Sequence, residues 1–238
     1  METQVPSRVA AVTGGSGGIG RAILAHLRAA GVEPCSLDLA KVPDGSFWVE
    51  TDIRDEHSVA AALEAVERQH GRLDILIHAA GVSFDAVVWK TPVAEWDRVQ
   101  AVNLRGAFLL LNRGIPLLRR AGGGRVVLIG SINGSRGKFG TAAYSASKAG
   151  LIGLARTVAR EVGRFGITVN VIEPGWVRTP LTGKMPPEFT QAAIEETLLG
   201  RLTEPDEIAA AVLYLCGAGG AAVTGQVLRV DCGQVVGG

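Results

Sequence analysis

A glycine-rich turn after a short apolar run constrains the fold of this chain more than any other feature. The run covers residues 8–13, and Thr-Gly-Gly-Ser-Gly-Gly-Ile-Gly occupies positions 13–20, where a segment with helical spacing begins. Glycine allows positive φ angles and a close approach of the backbone to a phosphate, while free N–H groups at a helix start attract negative charge. The turn therefore predicts a strand, a pyrophosphate-binding loop and a helix, in that order.

Strand-like and helix-like segments alternate along the rest of the chain. Runs rich in Val, Ile and Leu predict strands at residues 8–13, 32–37, 47–50, 73–78, 125–130, 167–172 and 226–230. Apolar residues three and four apart predict helices at residues 19–30, 56–69, 94–101 continuing through 104–118, 142–164 and 206–215, with a short helix at about 188–199. Most of the strands are apolar on both faces, which is typical of a parallel sheet covered by helices.

This alternation predicts an α/β fold. We expect a single doubly wound Rossmann-type domain over residues 1–238, with a seven-stranded parallel sheet and helices on both faces. The long irregular segment at about 179–200 is expected to be a substrate loop, because loops of that length are usually functional.

The composition excludes several classes of protein. There are 24 Lys and Arg against 23 Asp and Glu, and a net charge of +1 does not favour a nucleic-acid partner. Cys35, Cys216 and Cys232 lack paired spacing, so neither a disulfide framework nor a metal site is expected. The first residues lack a signal-peptide pattern, and glycines break the uncharged stretch 208–228, so we expect a cytoplasmic protein without a membrane span.

An acidic residue at the end of the second predicted strand bears on the ligand of the glycine turn. Asp38 lies eighteen residues after Gly20, where a carboxylate accepts hydrogen bonds from an adenosine ribose and repels a 2′-phosphate. NAD is therefore favoured over NADP, although Lys41 could bind that phosphate if its loop folds back. Asp52 has two interpretations: an acceptor for the adenine amino group, or a helix N-cap near Asp55.

A tyrosine and a lysine four residues apart are candidates for proton transfer. Tyr144 and Lys148 fall on one face of a predicted helix, and a nearby ammonium lowers the pKa of a phenol from about 10. An ordinary exposed helix face has the same spacing. Ser131 follows the fifth predicted strand, where such folds bind ligands, and it could donate to a substrate carbonyl or simply stabilise a turn.

The glycine turn, Asp38, Ser131 and the Tyr144/Lys148 pair together resemble the short-chain dehydrogenase/reductase family over nearly the whole chain. The resemblance implies that Tyr144 is the general acid/base and that Ser131 orients the substrate oxygen. It also implies that Lys148 lowers the tyrosine pKa and binds the nicotinamide ribose, and that Asn103 interrupts a helix and holds a water. The cofactor-binding residues implied are Thr13, Gly14, Ser16, Gly18, Ile19, Gly20, Asp38, Asp52, Ile53, Ala80, Gly81, Tyr144, Lys148, Pro174, Gly175, Val177 and Thr179.

Two positions depart from the family pattern. His78-Ala79-Ala80-Gly81 stands where the family commonly has Asn-Asn-Ala-Gly, so His78 either replaces a hydrogen bond between strands or leaves the turn looser. A buried, hydrogen-bonded histidine is the common alternative to a catalytic one. Cys232 follows Asp231 where the family usually has glycine, and we interpret it as a small buried group.

Residues in the segments that flank Ser131, Tyr144 and Lys148 indicate what kind of substrate could bind. Apolar side chains in the flanking segments predict a hydrophobic pocket, or else they anchor loops: Phe84, Trp89, Phe139, Trp176, Met185 and Phe189. Arg136 and Lys138 could attract an anionic or phosphopantetheine-linked substrate, or could be solvated surface charges.

We therefore expect hydride transfer between NAD(H) and a secondary alcohol or ketone, without a metal. The alternatives are a 3-oxoacyl-thioester reductase and a catalytically silent dinucleotide-binding regulator. Two helices with surplus apolar and small residues, at 104–118 and 142–164, together with the resemblance, predict a homotetramer, or a homodimer.

Overall fold

A sheet of parallel strands forms the centre of the computed structural model, which describes residues 7–179, 182 and 186–236. Within these residues the strands are β1 Val9–Thr13, β2 Glu33–Asp38, β3 Phe47–Glu50, β4 Ile75–His78, β5 Gly124–Ile129, β6 Ile167–Pro174 and β7 Val227–Val230. Their order is β3-β2-β1-β4-β5-β6-β7, and every pairing is parallel. The predicted doubly wound α/β fold with a seven-stranded parallel sheet is confirmed.

Helices cover both faces of the sheet and connect its strands, except that β3 follows β2 through a loop, residues 39–46. They are α1 Gly18–Ala29, α2 Glu56–His70, α3 Val93–Gln100, α4 Gly106–Arg120, α5 Ile132–Arg136, α6 Ala142–Val162, α7 Pro187–Glu195 and α8 Pro205–Cys216. Short 3₁₀ turns occupy Val88–Lys90, Gly163–Phe165 and Ala218–Gly220. The predicted helices are confirmed with ends shifted by a few residues, whereas α5 was not predicted, because we interpreted its residues as a turn.

The side chains of each strand alternate between two apolar clusters, as the pleat of a strand requires. Ala11 of β1 packs on the face covered by α2, α4 and α6, whereas Ala10 and Val12 pack on the face covered by α1 and α8. Burying a Leu or Ile side chain stabilises a fold by about 1.5–3 kcal/mol, and both clusters are rich in them. The two clusters hold the sheet rigid between its helix layers.

The direction of the strand order reverses between β1 and β4. In open parallel sheets, ligands bind at such a reversal, beyond the carboxyl ends of the strands. Thr13 ends β1, Asp38 ends β2, His78 ends β4 and Ile129 ends β5. The fold therefore brings the candidate residues, which are scattered along the sequence, to one edge of the sheet.

The uncharged stretch 208–228 forms most of α8, a 3₁₀ turn and the start of β7. Of the helices in the described part of the chain, none combines the length and apolarity that crossing a membrane requires.

Candidate active site

The glycine turn packs tightly against itself and against the end of β4. Gly14 has a φ of +70°, and a Cβ there would lie 2.5 Å from the nitrogen of Ala80, while a Cβ at Gly20 would overlap the carbonyl of Gly14. Gly17 is the N-cap of α1, and Gly18 and Ile19 begin the helix. Only glycine fits at positions 14 and 20, and this close packing leaves the start of α1 as a cradle suited to a pyrophosphate.

The carboxylate of Asp38 lies against this turn. Its Oδ2 accepts hydrogen bonds from the backbone N–H of Ser16 at 2.9 Å and from the Ser16 hydroxyl at 2.8 Å, and its Oδ1 accepts from Ala40 N–H at 3.0 Å. The glycine turn thus holds the carboxylate in one orientation. Lys41 is exposed on the loop that follows.

Asp52 and Ile53 follow β3. Asp52 pairs with Arg54 at 2.7 Å, and this hydrogen-bonded pairing lowers the pKa of Asp52 against the effect of burial. The interpretation of Asp52 as a helix N-cap is wrong, because Asp55 caps α2 by accepting from the N–H of His57. Ile53 is buried and leaves no room for a side chain at Gly106. The contact between Asp52 and adenine stays a prediction.

Lys148 and Tyr144 lie one turn apart on α6, as their spacing predicts. Lys148 is 3% exposed, and its ammonium donates to the carbonyl of Ile129 at 2.8 Å and lies 5.6 Å from the centre of the Tyr144 ring. Burial lowers the pKa of Lys148 to about 8. A Cβ at Gly81 would lie 3.3 Å from Nζ, so Gly81 leaves space beside the ammonium.

Ser131 begins α5 and faces Tyr144. Its side chain caps the helix by accepting from the N–H of Asn133 at 3.2 Å. Burial raises the pKa of Tyr144, a hydrogen bond with Ser131 lowers it, and the charge of Asp85 raises it. The net direction is upward, opposite to the lowering we expected from the ammonium, because taking the phenol out of water disfavours its charged form.

Asn103 sits in a π turn, Ala101–Arg105, between α3 and α4, so the helix is interrupted where the resemblance implies. Its Nδ2 donates to the Val82 carbonyl and to the Ser147 hydroxyl, both at 2.9 Å, and its Oδ1 accepts from Val82 N–H at 2.8 Å. The amide therefore joins the chain beyond β4 to α6, one residue from Lys148.

His78 ends β4 and is completely buried. Its Nδ1 lies 3.0 Å from the Thr13 hydroxyl, and its Nε2 lies 3.1 Å from the backbone carbonyl of Asn103. Burial, with the nearby charge of Lys148, lowers the pKa of His78 to about 3. Of the two interpretations left open by the sequence, replacement of the hydrogen bond is therefore correct.

The chain beyond β6 is held by side chains from elsewhere. After Pro174, Gly175 N–H donates to the Val230 carbonyl at 3.1 Å, and Trp176 N–H donates to Oε1 of Gln234 at 3.1 Å. The hydroxyl of Thr182 donates to the Val177 carbonyl at 2.8 Å and accepts from the N–H of Thr179, also at 2.8 Å. These bonds fix the backbone that the resemblance places beside a nicotinamide.

The candidate substrate side carries exposed aromatic residues. Trp89, Phe139 and Phe189 are exposed, whereas Met185 lies outside the described residues. Arg136 and Lys138 are both exposed, as expected of surface charges; Arg136 pairs with Glu196 at 3.1 Å, and the Lys138 ammonium lies 4.1 Å above the Trp176 ring. Attraction of an anionic substrate stays a prediction.

Comparisons with known proteins identify relatives of this chain. A family profile described as Enoyl-(Acyl carrier protein) reductase matches residues 15–234. The 3-oxoacyl-acyl-carrier-protein reductase MabA of Mycobacterium tuberculosis is 36% identical over 97% of this chain and 94% of that protein. The acetoacetyl-CoA reductase of an Acinetobacter species is 35% identical over 95% of this chain and 97% of that protein.

The chain belongs to the short-chain dehydrogenase/reductase family. As a family member it is an NAD(P)-dependent oxidoreductase that acts on CH–OH groups, and this disfavours the alternative of a silent regulator. The ligand-free structure of Thermoplasma acidophilum aldohexose dehydrogenase matches with a TM-score of 0.92 at 27% identity, covering 96% of this chain and 94% of that one.

Sequence reasoning missed several residues of this oxidoreductase that the fold brings to the site. Glu196 accepts from Gln234 at 2.6 Å and from Arg136, so it connects α5, the segment after α7 and the C-terminal segment. Thr182 likewise supports the backbone after β6. Hydrogen bonds between polar residues so far apart leave no local pattern in a sequence, and no signal could have identified them.

Proposed function

We propose that this chain transfers a hydride reversibly between NAD(H) and a secondary alcohol or ketone, with Tyr144 as the general acid/base. One observation carries the proposal: a phenol, a hydroxyl and a buried ammonium converge at the carboxyl edge of the sheet, beside the glycine turn. Ser131 lies close enough to Tyr144 to lower the pKa of its phenol, and Lys148 is fixed to the end of β5. These three groups could exchange a proton with one substrate oxygen and polarise it. Such an arrangement suits carbonyl reduction and alcohol oxidation.

The cradle at the start of α1 supports a dinucleotide as the coenzyme. Its residues would hold the pyrophosphate, Asp38 would accept from the adenosine ribose, and Gly81 leaves room beside Lys148 for the nicotinamide end. The bound nicotinamide supplies or accepts the hydride. The remaining proposed contacts come from Asp52, Ile53, Ala80, Pro174, Gly175, Val177 and Thr179.

NAD rather than NADP is proposed from charge. The glycine turn, residues 13–20, contains no Lys or Arg, and the Asp38 carboxylate is held in place by Ser16. A 2′-phosphate on the ribose would meet this carboxylate, and like charges at close range repel.

The protein's part in the reaction is to orient the substrate and move one proton. The Ser131 hydroxyl would donate to the substrate oxygen and position it against the phenol. In reduction Tyr144 gives its proton to the carbonyl oxygen, and in oxidation it takes the hydroxyl proton. A pKa of about 8 leaves Lys148 mostly protonated at pH 7, so its charge is available to favour the phenolate.

3-Oxoacyl thioesters are the first substrates to test. MabA and the acetoacetyl-CoA reductase carry that chemistry in their names and cover nearly the whole chain. Lys138 lies over Trp176, next to the backbone proposed to hold the nicotinamide, and would suit the anionic carrier of such a substrate; Arg136, two residues earlier, pairs with Glu196. An aldohexose is the competing candidate, from the structural neighbour. The segment at about 179–200 is proposed as the substrate loop of one dehydrogenase domain.

A homotetramer, or a homodimer, is proposed from the surfaces of α4 and α6. Phe108 is half exposed on α4, and Gly153 opens an uncrowded surface on α6, where a second copy could pack. Sedimentation velocity tests this, and a stable monomer at micromolar concentration would exclude it. A cytoplasmic location is proposed because Cys35, Cys216 and Cys232 are all free thiols.

Replacement of Tyr144 by Phe tests the proposed function. The chain has two tyrosines, so Tyr214→Phe, on the exposed side of α8, is the matched control. We expect Tyr144→Phe to bind NAD with a nearly unchanged Kd and to lose turnover by about 10²–10⁴-fold, measured by nicotinamide absorbance on acetoacetyl-CoA and a panel of alcohols and sugars. The control should keep full turnover. Equal turnover in both variants would refute the role of Tyr144.

A further inference from the structure

His78 is a buried titratable residue that the proposed mechanism does not use. It is 0% exposed, and both of its ring nitrogens have a partner: the Thr13 hydroxyl at 3.0 Å and the Asn103 carbonyl at 3.1 Å. A buried imidazole that satisfies both nitrogens has its ring orientation fixed. The question is what this fixed ring connects.

The partners determine which nitrogen carries the proton. A backbone carbonyl can only accept, so Nε2 of His78 must donate to Asn103. In a neutral imidazole the other nitrogen is then an acceptor, so Nδ1 accepts from the Thr13 hydroxyl. The Thr13 oxygen in turn accepts from the N–H of Ala80 at 3.3 Å. The result is one directed chain from Ala80 through Thr13 and His78 to Asn103.

The neutral form is the one this environment allows. The ring is dehydrated in the core, and Lys148 is the nearby charge that opposes protonation, so the pKa of His78 falls to about 3. Thr13 and Asn103 face the ring with an oxygen each, and neither carries a charge. A single tautomer therefore persists across the pH range in which the enzyme would work.

The two ends of this hydrogen-bond chain belong to different halves of the site. Thr13 begins the glycine turn, and Ala80 packs against Gly14 of that turn. Asn103 is bonded through its side chain to Val82 and to Ser147, and the Ser147 hydroxyl donates to the Tyr144 carbonyl at 2.7 Å. The side chain of His78 therefore links the glycine turn to the π turn by hydrogen bonds.

We propose that His78 is a positioning residue, which holds the π turn of Asn103, and through it the catalytic helix α6, in register with the glycine turn. This rests on the proposed function for its effect on turnover. The imidazole of His78 spans the distance from Thr13 to the π turn, with a hydrogen bond at each end. A residue that reaches Thr13 but not Asn103 therefore leaves a buried carbonyl without its donor.

Two substitutions test the two hydrogen bonds of the His78 ring separately. His78→Gln places an amide N–H near the position of Nε2 and keeps the donor to Asn103. His78→Asn is shorter, so it reaches Thr13 alone. We expect both variants to bind NAD with a Kd within about threefold of the wild type, whereas kcat falls roughly ten- to hundredfold in His78→Asn and is largely restored in His78→Gln. A purely structural role would lower both equally, in step with stability.

The tautomer gives a readout that needs no substrate. Side-chain ¹⁵N NMR of the intact enzyme should show His78 protonated at Nε2 and unprotonated at Nδ1 from pH 5 to 9, without titration. A proton on Nδ1, or equal turnover in the Asn and Gln variants, would overturn the proposal. If wild-type enzyme turns over none of the panel but the tautomer is as stated, the proposed function fails and the hydrogen-bond chain stands.

Discussion

Asp38 accepts two hydrogen bonds from Ser16 through one oxygen, from the backbone N–H at 2.9 Å and from the hydroxyl at 2.8 Å. The second strand and the glycine turn are thereby joined at the point where the adenosine ribose is proposed to bind. Because the carboxylate is already oriented, little ordering is required when a ribose hydroxyl replaces solvent on its remaining lone pairs.

Asp38→Ala should relax the choice of coenzyme, because it removes the charge that repels a 2′-phosphate. Adding Gly17→Arg should reverse the choice, raising kcat/KM for NADP by about tenfold or more through a charge-assisted pair with the phosphate. Gly17 has an extended backbone with φ −73°, which any residue adopts. The measurement is kcat/KM with each coenzyme. A wild type that prefers NADP would contradict the assignment.

Lys148→Met should stabilise the fold while abolishing turnover. The folded pKa of Lys148, about 8, is below its usual 10.5, so between these pH values the unfolded chain binds more protons and stability rises with pH. Below pH 8 the buried, charged ammonium lowers the free energy of unfolding by about 3 kcal/mol. The hydrogen bond to Ile129, which Met cannot make, offsets part of this loss. Urea unfolding at pH 7 should show Met more stable by about 1–2 kcal/mol, and the advantage should shrink by pH 10. A less stable variant at pH 7 would show that burial does not penalise the charge.

Ser131→Ala should move the pH dependence of alcohol oxidation to higher pH. The hydrogen bond from Ser131 lowers the pKa of Tyr144, and without it the opposing effect of burial is uncompensated. More alkaline solution is then needed to form the phenolate that takes the substrate proton. The readout is kcat/KM for oxidation against pH, compared with Ser135→Ala on the same helix. If kcat/KM falls at every pH but the midpoint of the pH profile does not move, Ser131 acts on the substrate alone.

Glu196→Gln should weaken substrate binding more than turnover. Glu196 accepts from Arg136 and Gln234, and Gln234 supports the backbone of Trp176. Loosening these contacts should raise KM for the substrate several-fold, with a smaller rise in the Kd for NAD because the backbone of Trp176 adjoins the proposed nicotinamide site. Glu195→Gln is the matched control, because Glu195 bonds only to Gln191 on the exposed side of α7 among the contacts described. Equal KM values in the two variants would remove Glu196 from the substrate side.

The strands and long helices were predictable because their hydrophobic spacing is local. The coverage of both sheet faces by helices follows from runs that are apolar on both sides, whereas the register of β5 against β6 does not. The five-residue helix α5 was missed because Ile132-Asn133-Gly134 has the composition of a turn, and only the cap from Ser131 makes it helical. Propensity over so few residues is too weak to decide.

In the candidate site, too, the features that could be predicted are those that depend on local sequence patterns. Gly14, Asp38, Tyr144 and Lys148 were found because their roles depend on short spacings or on the ends of strands. The direction of the Tyr144 pKa shift was missed, since burial of a phenol depends on the whole fold. The partners of His78 were invisible for a similar reason: Thr13 and Asn103 lie far from it in sequence and meet it only when β1, β4 and the π turn are packed.

The strand order has a consequence for how the chain can be built on the ribosome. β1 emerges first and lies at the centre, β2 and β3 can add on one side, and β4 to β7 can add in turn on the other. Each newly synthesised strand pairs with an edge strand of the growing sheet, and none has to be inserted between two strands already paired. Vectorial folding can therefore follow translation step by step, and the catalytic half is completed last, on a coenzyme half that is already assembled.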